Sequence, residues 1–113
     1  MGFTDAVTTV FSNYANFNGR AARPEFWWWA LFVSIVYVVF AVLAAVIGRE
    51  VYALLALFVL AVILPNLAVT ARRLHDTDRS GWWQLIALVP IIGPIVLLIF
   101  EILPGTPGAN RFG

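Results

Sequence analysis

Three apolar runs constrain this chain more than any other feature. They cover about residues 27–47, 51–70 and 82–102, and between them they hold one charged side chain, Glu101. Only 12% of the 113 residues are charged and 62% are hydrophobic. Soluble domains carry about 25% charged residues. A water-soluble fold of this length has too little interior to hide such runs. The bilayer is the natural solvent, and a helix over 27–47 is long enough to cross its roughly 30 Å hydrocarbon core. The expected fold is therefore all-α and integral to a membrane, in a single domain over 1–113. It comprises a short interfacial amphipathic helix and three hydrophobic segments.

The helix expected over 3–14 sets Phe3, Val7, Val10, Phe11 and Tyr14 on one face, with Thr4, Asp5, Thr8, Thr9, Ser12 and Asn13 off it. Such a helix lies in the headgroup plane or packs on the protein's own bundle. No cleavable signal peptide is expected, because the first apolar run follows a long polar lead and exceeds a typical signal core. Pro24 suits the first turn of a helix, and Glu25 stands near the positive end of its dipole. Trp27, Trp28 and Trp29 read as an interfacial aromatic belt, mirrored by Trp82 and Trp83. Gly48 suits a left-handed stop between the first two segments.

Pro65 is expected to kink the second segment. The neighbouring Asn66 is an intramembrane polar residue that must face protein or a wet cavity, most simply in an interhelical hydrogen bond. The third segment is broken at Pro90-Ile91-Ile92-Gly93-Pro94. It is either a kinked span or a re-entrant hairpin of two half-helices, and a third span is the preferred reading. Three spans put five arginines on one side and two on the other; a re-entrant segment makes it six against one. Both arrangements put the N-terminus and residues 71–81 in the cytoplasm.

Residues 72–83 gather six of the fourteen charged or imidazole side chains, including the only histidine. If the second helix runs on, Arg72, His75, Asp76 and Arg79 form one polar stripe, and Arg72 and Asp76 are spaced as an ion pair. Arg20, Arg23 and Glu25 lie at the same membrane side. Two readings of Arg20, Arg23, Glu25, Arg72, Arg73, His75, Asp76 and Arg79 follow. In one, the charges pair and fix the end of the bundle. In the other, surplus guanidinium groups hold a small anion or a lipid phosphate, which a planar fork suits.

Catalytic and metal readings are weak. There is no Cys, so disulfides and thiolate chemistry are excluded. Asp76-Thr77-Asp78-Arg79-Ser80-Gly81 opens like an EF-hand loop, but its twelfth position is Ala87 rather than Glu. A His75 metal site lacks a second His, and Ser80 lacks the nucleophile-elbow glycines. No enzyme, metal or cofactor is expected. The net charge of +1 offers no field for nucleic acid. The expected partners are membrane lipids, with a homo-oligomer or another membrane protein.

Three stretches carry a resemblance. They are Asn16-Phe17-Asn18-Gly19-Arg20 through Glu25-Phe26-Trp27, then Arg72-Arg73-Leu74-His75-Asp76 through Arg79-Ser80-Gly81-Trp82-Trp83, then Gly105 through Gly113. Their order and the apolar runs between them resemble the bacterial family called domain of unknown function 805, over nearly the whole chain. The resemblance implies a small bacterial inner-membrane protein and no established reaction. Asp78 departs from the small or neutral residue expected there. The expectation is a non-catalytic scaffold or partner subunit with a charged cytoplasmic cap. The alternative is headgroup or small-anion binding or transport by a homo-oligomer, since three helices are too few to enclose a path.

Overall fold

A computed structural model describes all residues, 1–113. It is entirely helical: α1 (Phe3–Ser12), α2 (Arg23–Ile47), α3 (Val51–Asp76), a 3-10 helix (Gly81–Leu88) and α4 (Ile92–Ile102). Both α2 and α3 are long and apolar enough to cross a membrane. They are antiparallel across the tight Gly48-Arg49-Glu50 turn. Gly48 has φ +139° and ψ 173°, an extended region open essentially to glycine alone rather than the left-handed helical stop expected. Most large apolar side chains of the two helices point outward, as a hydrocarbon solvent permits.

The amphipathic face of α1 packs on α2. Ala6 and Val10 are fully buried. Phe3 and Phe11 stand edge-on to Trp28 and Trp29 respectively, and both approach Phe32. Trp29 consequently leaves the expected aromatic belt. It joins Val10, Ala21, Phe26, Val62 and Val69 in the core, while Trp27 and Trp28 remain at the surface. The Trp29 indole N–H donates to Asn66 Oδ1 at 2.5 Å, joining α2 to α3. The helix α3 continues through Pro65 and extends to Asp76, six residues beyond the apolar run.

The third apolar segment is not one helix. The chain reverses at Pro90-Ile91, where Ile91 takes φ +69°. The 3-10 helix and α4 then lie antiparallel, with Trp83 edge-on to Phe100 at 5.5 Å and the Arg79 guanidinium 4.2 Å from the same ring. Gly93 permits the closest approach. A Cβ there would sit 1.7 Å from the Ile86 carbonyl oxygen. Two short antiparallel helices return the chain to the end from which it came, so the preferred third span is not formed. The Pro/Gly cluster sets a reversal because Pro90 and Pro94 each withhold a backbone donor where a continuous helix would need it.

Candidate functional site

The extension of α3 past its apolar run positions the charged cluster. It carries Arg72, Arg73, His75 and Asp76 to one end of the bundle. The segment before α2, the end of α4 and the tail 103–113 meet there. Arg73 is fully buried. Its Nη1 donates to Asp76 Oδ2 at 2.7 Å and to the Ala21 carbonyl at 3.3 Å. Its Nε donates to the Glu101 carbonyl at 3.0 Å and Nη2 to that of Leu103. The last two are at the C-terminus of α4, where carbonyls lack helical partners and the dipole favours a cation. Trp27 Nε1 donates to the same Glu101 carbonyl at 3.2 Å.

Arg72 is nearly as buried, at 3% exposure. It pairs through Nη1 with Glu25, in the first turn of α2, and donates through Nε to the Asn16 carbonyl. The i,i+4 pair expected between Arg72 and Asp76 is thus not made. Asp76 instead pairs with Arg73 at i,i+3 and with Arg20 at 2.8 Å. Arg72 and Asp76 lie on one stripe, but Arg72 turns toward α2, where a desolvated carboxylate is available. Its Nη2 is buried without a hydrogen-bond partner.

Arg20 holds the tail. Besides Asp76, it donates to the carbonyls of Thr106 and Gly108. The Thr106 amide donates to the Asp76 carbonyl at 2.7 Å, and Asn110 Nδ2 to that of His75 at 2.9 Å. Gly105 passes directly over the Asp76 carboxylate, where a Cβ would stand 2.1 Å from Oδ2. Farther out, Arg111 pairs with Asp78 at 3.2 Å. Hydrogen bonds from the Arg111 backbone and side chain hold the Asp78 carboxyl below the usual aspartate range.

His75 Nδ1 lies 2.8 Å from the Gly19 carbonyl, and the Phe112 ring stacks flat on the imidazole at 3.9 Å. Arg79 donates to the Thr77 carbonyl and covers Phe100. Arg23 is exposed and enters none of the ion pairs. The structure thus gathers Arg20, Glu25, Arg72, Arg73 and Asp76 into one network, sets His75 and Arg79 at its edges and leaves Arg23 outside. Asn66 belongs to the helix interior instead. Thr106, Asn110 and Phe112 joined the site from the stretch Gly105 through Gly113 that carries the resemblance, although none of the three was among the expected site residues. No group of three metal-ligating side chains occurs.

The network's parts coincide with the stretches that carry the resemblance. A family model described as "Protein of unknown function (DUF805)" matches residues 14–113. The inner membrane protein YhaI of Escherichia coli K12 is 48% identical over 93% of this chain and 89% of its own length. The inner membrane protein YhaH of the same strain is 43% identical over 96% and 93%. The protein YiiR is 36% identical over 66% of this chain and 50% of its own length. No solved structure matches. With a family model over nearly its whole length and two relatives above 40% identity, the chain belongs to the DUF805 family.

Proposed function

We propose that the chain is a non-catalytic, multi-pass inner-membrane protein that acts as a scaffold or partner subunit. In this reading α2 and α3 cross the bilayer, and residues 81–102 re-enter it from the cytoplasmic side. The charged end, the N-terminus and the tail all lie in the cytoplasm. One observation carries it: Arg20, Arg72 and Arg73 spend their charge inward, tying four chain segments into a rigid cap. A site that turns over substrate needs groups free to meet it. Here the donors meet carboxylates and carbonyls of the chain itself. The orientation rests on six of the seven arginines lying at the capped end, with Arg49 alone at the other.

The native chain has no cysteine, so single cysteines report topology cleanly. Cysteines at positions 77 and 109 are expected to label only from the cytoplasm, and one at position 49 only from outside. External labelling of position 109 would remove the re-entrant segment. The scaffold role is tested by crosslinking in native membranes followed by mild extraction. A reproducible adduct of fixed stoichiometry supports it, and a chain that remains free and monomeric throughout sinks it.

The alternative, binding of a headgroup phosphate or small anion in a homo-oligomer, draws on Arg23 and the unpartnered Nη2 of Arg72. Mass spectra of the gently extracted protein distinguish it. Bound anionic lipid that is lost in Arg23→Ala, with the fold intact, would favour this second reading.

A further inference from the structure

Beside the charged cap lies a cleft of about 670 Å³ between the 3-10 helix, α3 and the loop preceding α2. No Arg, Asp or Glu lines it. Its polar groups are Asn18, His75, Ser80 and Gln84, set against apolar walls that include Leu67 and Phe112.

The hydrogen bonds inside the chain fix what each polar group has left to offer. His75 is 9% exposed. Its Nδ1 faces the Gly19 carbonyl, which can only accept, so Nδ1 carries the proton. In the neutral ring the lone pair is then on Nε2, which has no partner within the chain. Gly81 keeps the space before that atom open, since a Cβ there would stand 3.5 Å from Nε2. The stacked Phe112 ring holds the imidazole plane. Gln84 spends its amide nitrogen on the Leu67 carbonyl, leaving Oε1 to accept. Ser80 Oγ accepts from the Trp82 amide, leaving its O–H to donate. The Asn18 carboxamide takes part in no hydrogen bond with the rest of the chain.

This is an acceptor-rich, uncharged set around an unpartnered imidazole nitrogen on the wall of the cleft. Anions are disfavoured, because no cation faces them and most of the free positions are lone pairs. A hydroxyl fits, since it donates to Nε2 or Oε1 and accepts from Ser80 or Asn18. The apolar walls and the outward Trp82 beside them offer a way out for an alkyl chain. We propose that this cleft binds an uncharged amphiphile with a hydroxyl-bearing head, of which a diacylglycerol is the simplest. The head's O–H donates to His75 Nε2 and the chains leave along Leu67. His75 stands at the edge of the cap, but none of the paired side chains that carry the scaffold reading lines the cleft, so the ligand does not rest on that reading.

His75 is the only histidine, so ¹⁵N-histidine labelling gives a single imidazole reporter. The full chain is placed in phosphatidylcholine nanodiscs, which supply no hydroxyl, at one fixed pH. Dioleoylglycerol is expected to move the Nε2 resonance upfield in a saturable way, with Nδ1 little changed. Its 3-O-acetyl derivative, which lacks the O–H, is expected to leave Nε2 in place. Leu67→Trp fills the cleft from an apolar wall and should abolish the shift while helicity is retained. Gln84→Leu, which removes one acceptor, should weaken the apparent affinity roughly five-fold. If no saturable shift occurs, or the acetylated lipid shifts Nε2 equally, the proposal fails. Free glycerol producing the same shift at the same concentration would overturn its lipid half.

Discussion

The two ends of α3 obey opposite rules. From Val51 to Leu67 the helix turns large apolar side chains outward, with Leu60 65% exposed. From Ala68 to Asp76 it buries nearly everything, including two arginines. The difference teaches what holds the molecule together. Lipid tails are as apolar as leucine, so the outward face gains little from packing elsewhere. Polar groups removed from water, by contrast, must find partners inside the chain. The apolar length makes α2 and α3 helices that suit a bilayer. The charged end decides how α1, the hairpin and the tail are arranged about them.

That contrast breaks most sharply at Arg72 and Glu25. Glu25→Gln removes the charge partner of a buried guanidinium and is expected to cost about 3–5 kcal/mol of unfolding free energy, measured in bicelles. The double variant Glu25→Leu with Arg72→Met should recover most of the loss, because a buried pair and a well-packed apolar pair are close in stability. If the single variant unfolds no more easily than the parent, the cap is not what holds the bundle's end.

Arg73→Lys comes next. Lysine keeps the charge but lacks the fork that reaches Asp76 and the carbonyls of Ala21, Glu101 and Leu103 at once. A loss of about 2–3 kcal/mol is expected. Gly105→Ala drives a methyl into the Asp76 carboxylate and should cost about 1–3 kcal/mol. Its effect should appear first as faster proteolysis of the tail. At the other end of α3, Leu60→Ala should change stability by no more than about 0.5 kcal/mol. A loss there as large as that of Arg73→Lys would mean the outward face is covered by protein, and would point to a partner helix.

Apolar length and the gathering of charge in residues 72–83 were enough to read an all-helical chain with a charged end. The polar stripe was conditional on the second helix running on; α3 does run past its apolar segment but ends at Asp76, so Arg72, His75 and Asp76 lie on the helix and Arg79 falls beyond it. What the sequence hid is tertiary. Spacing suggested Asp76 for Arg72, but the partner is Glu25, 47 residues away, chosen by helix packing that no local pattern encodes. Three of Arg73's four acceptors are backbone carbonyls, which every residue possesses and which leave no mark in the sequence. Pro90 and Gly93 signalled a break, yet the reversal involves an extended Val89 and Ile91 at φ +69°, and steric preference argues against a β-branched residue at positive φ. The Phe112 ring stacks on His75 from the tail, a pairing across 37 residues of sequence that no local pattern encodes.

The smallest effect belongs to the outermost pair, Asp78 and Arg111, which is exposed where Arg72 and Glu25 are buried. Exposed pairs contribute little and are screened by salt, so Asp78→Asn should leave global unfolding unchanged. Its signature is local and depends on pH. Arg111 holds the Asp78 carboxyl below its ordinary value, so the folded pKa lies under the unfolded one. Whatever the carboxylate adds to tail docking is therefore present above the unfolded value. It is lost as pH falls through the folded one, in acid below the usual aspartate range. The Arg111 amide donates to Asp78 Oδ1 at 3.2 Å, and its hydrogen exchange reads this directly. Protection, corrected for the intrinsic pH dependence of exchange, should fall over that acid window in the parent chain and stay flat in Asp78→Asn. Raising the salt should shrink the difference between the two chains. A parent profile already flat in acid would show that Asp76, Arg20 and Gly105 dock the tail without help from its outer pair.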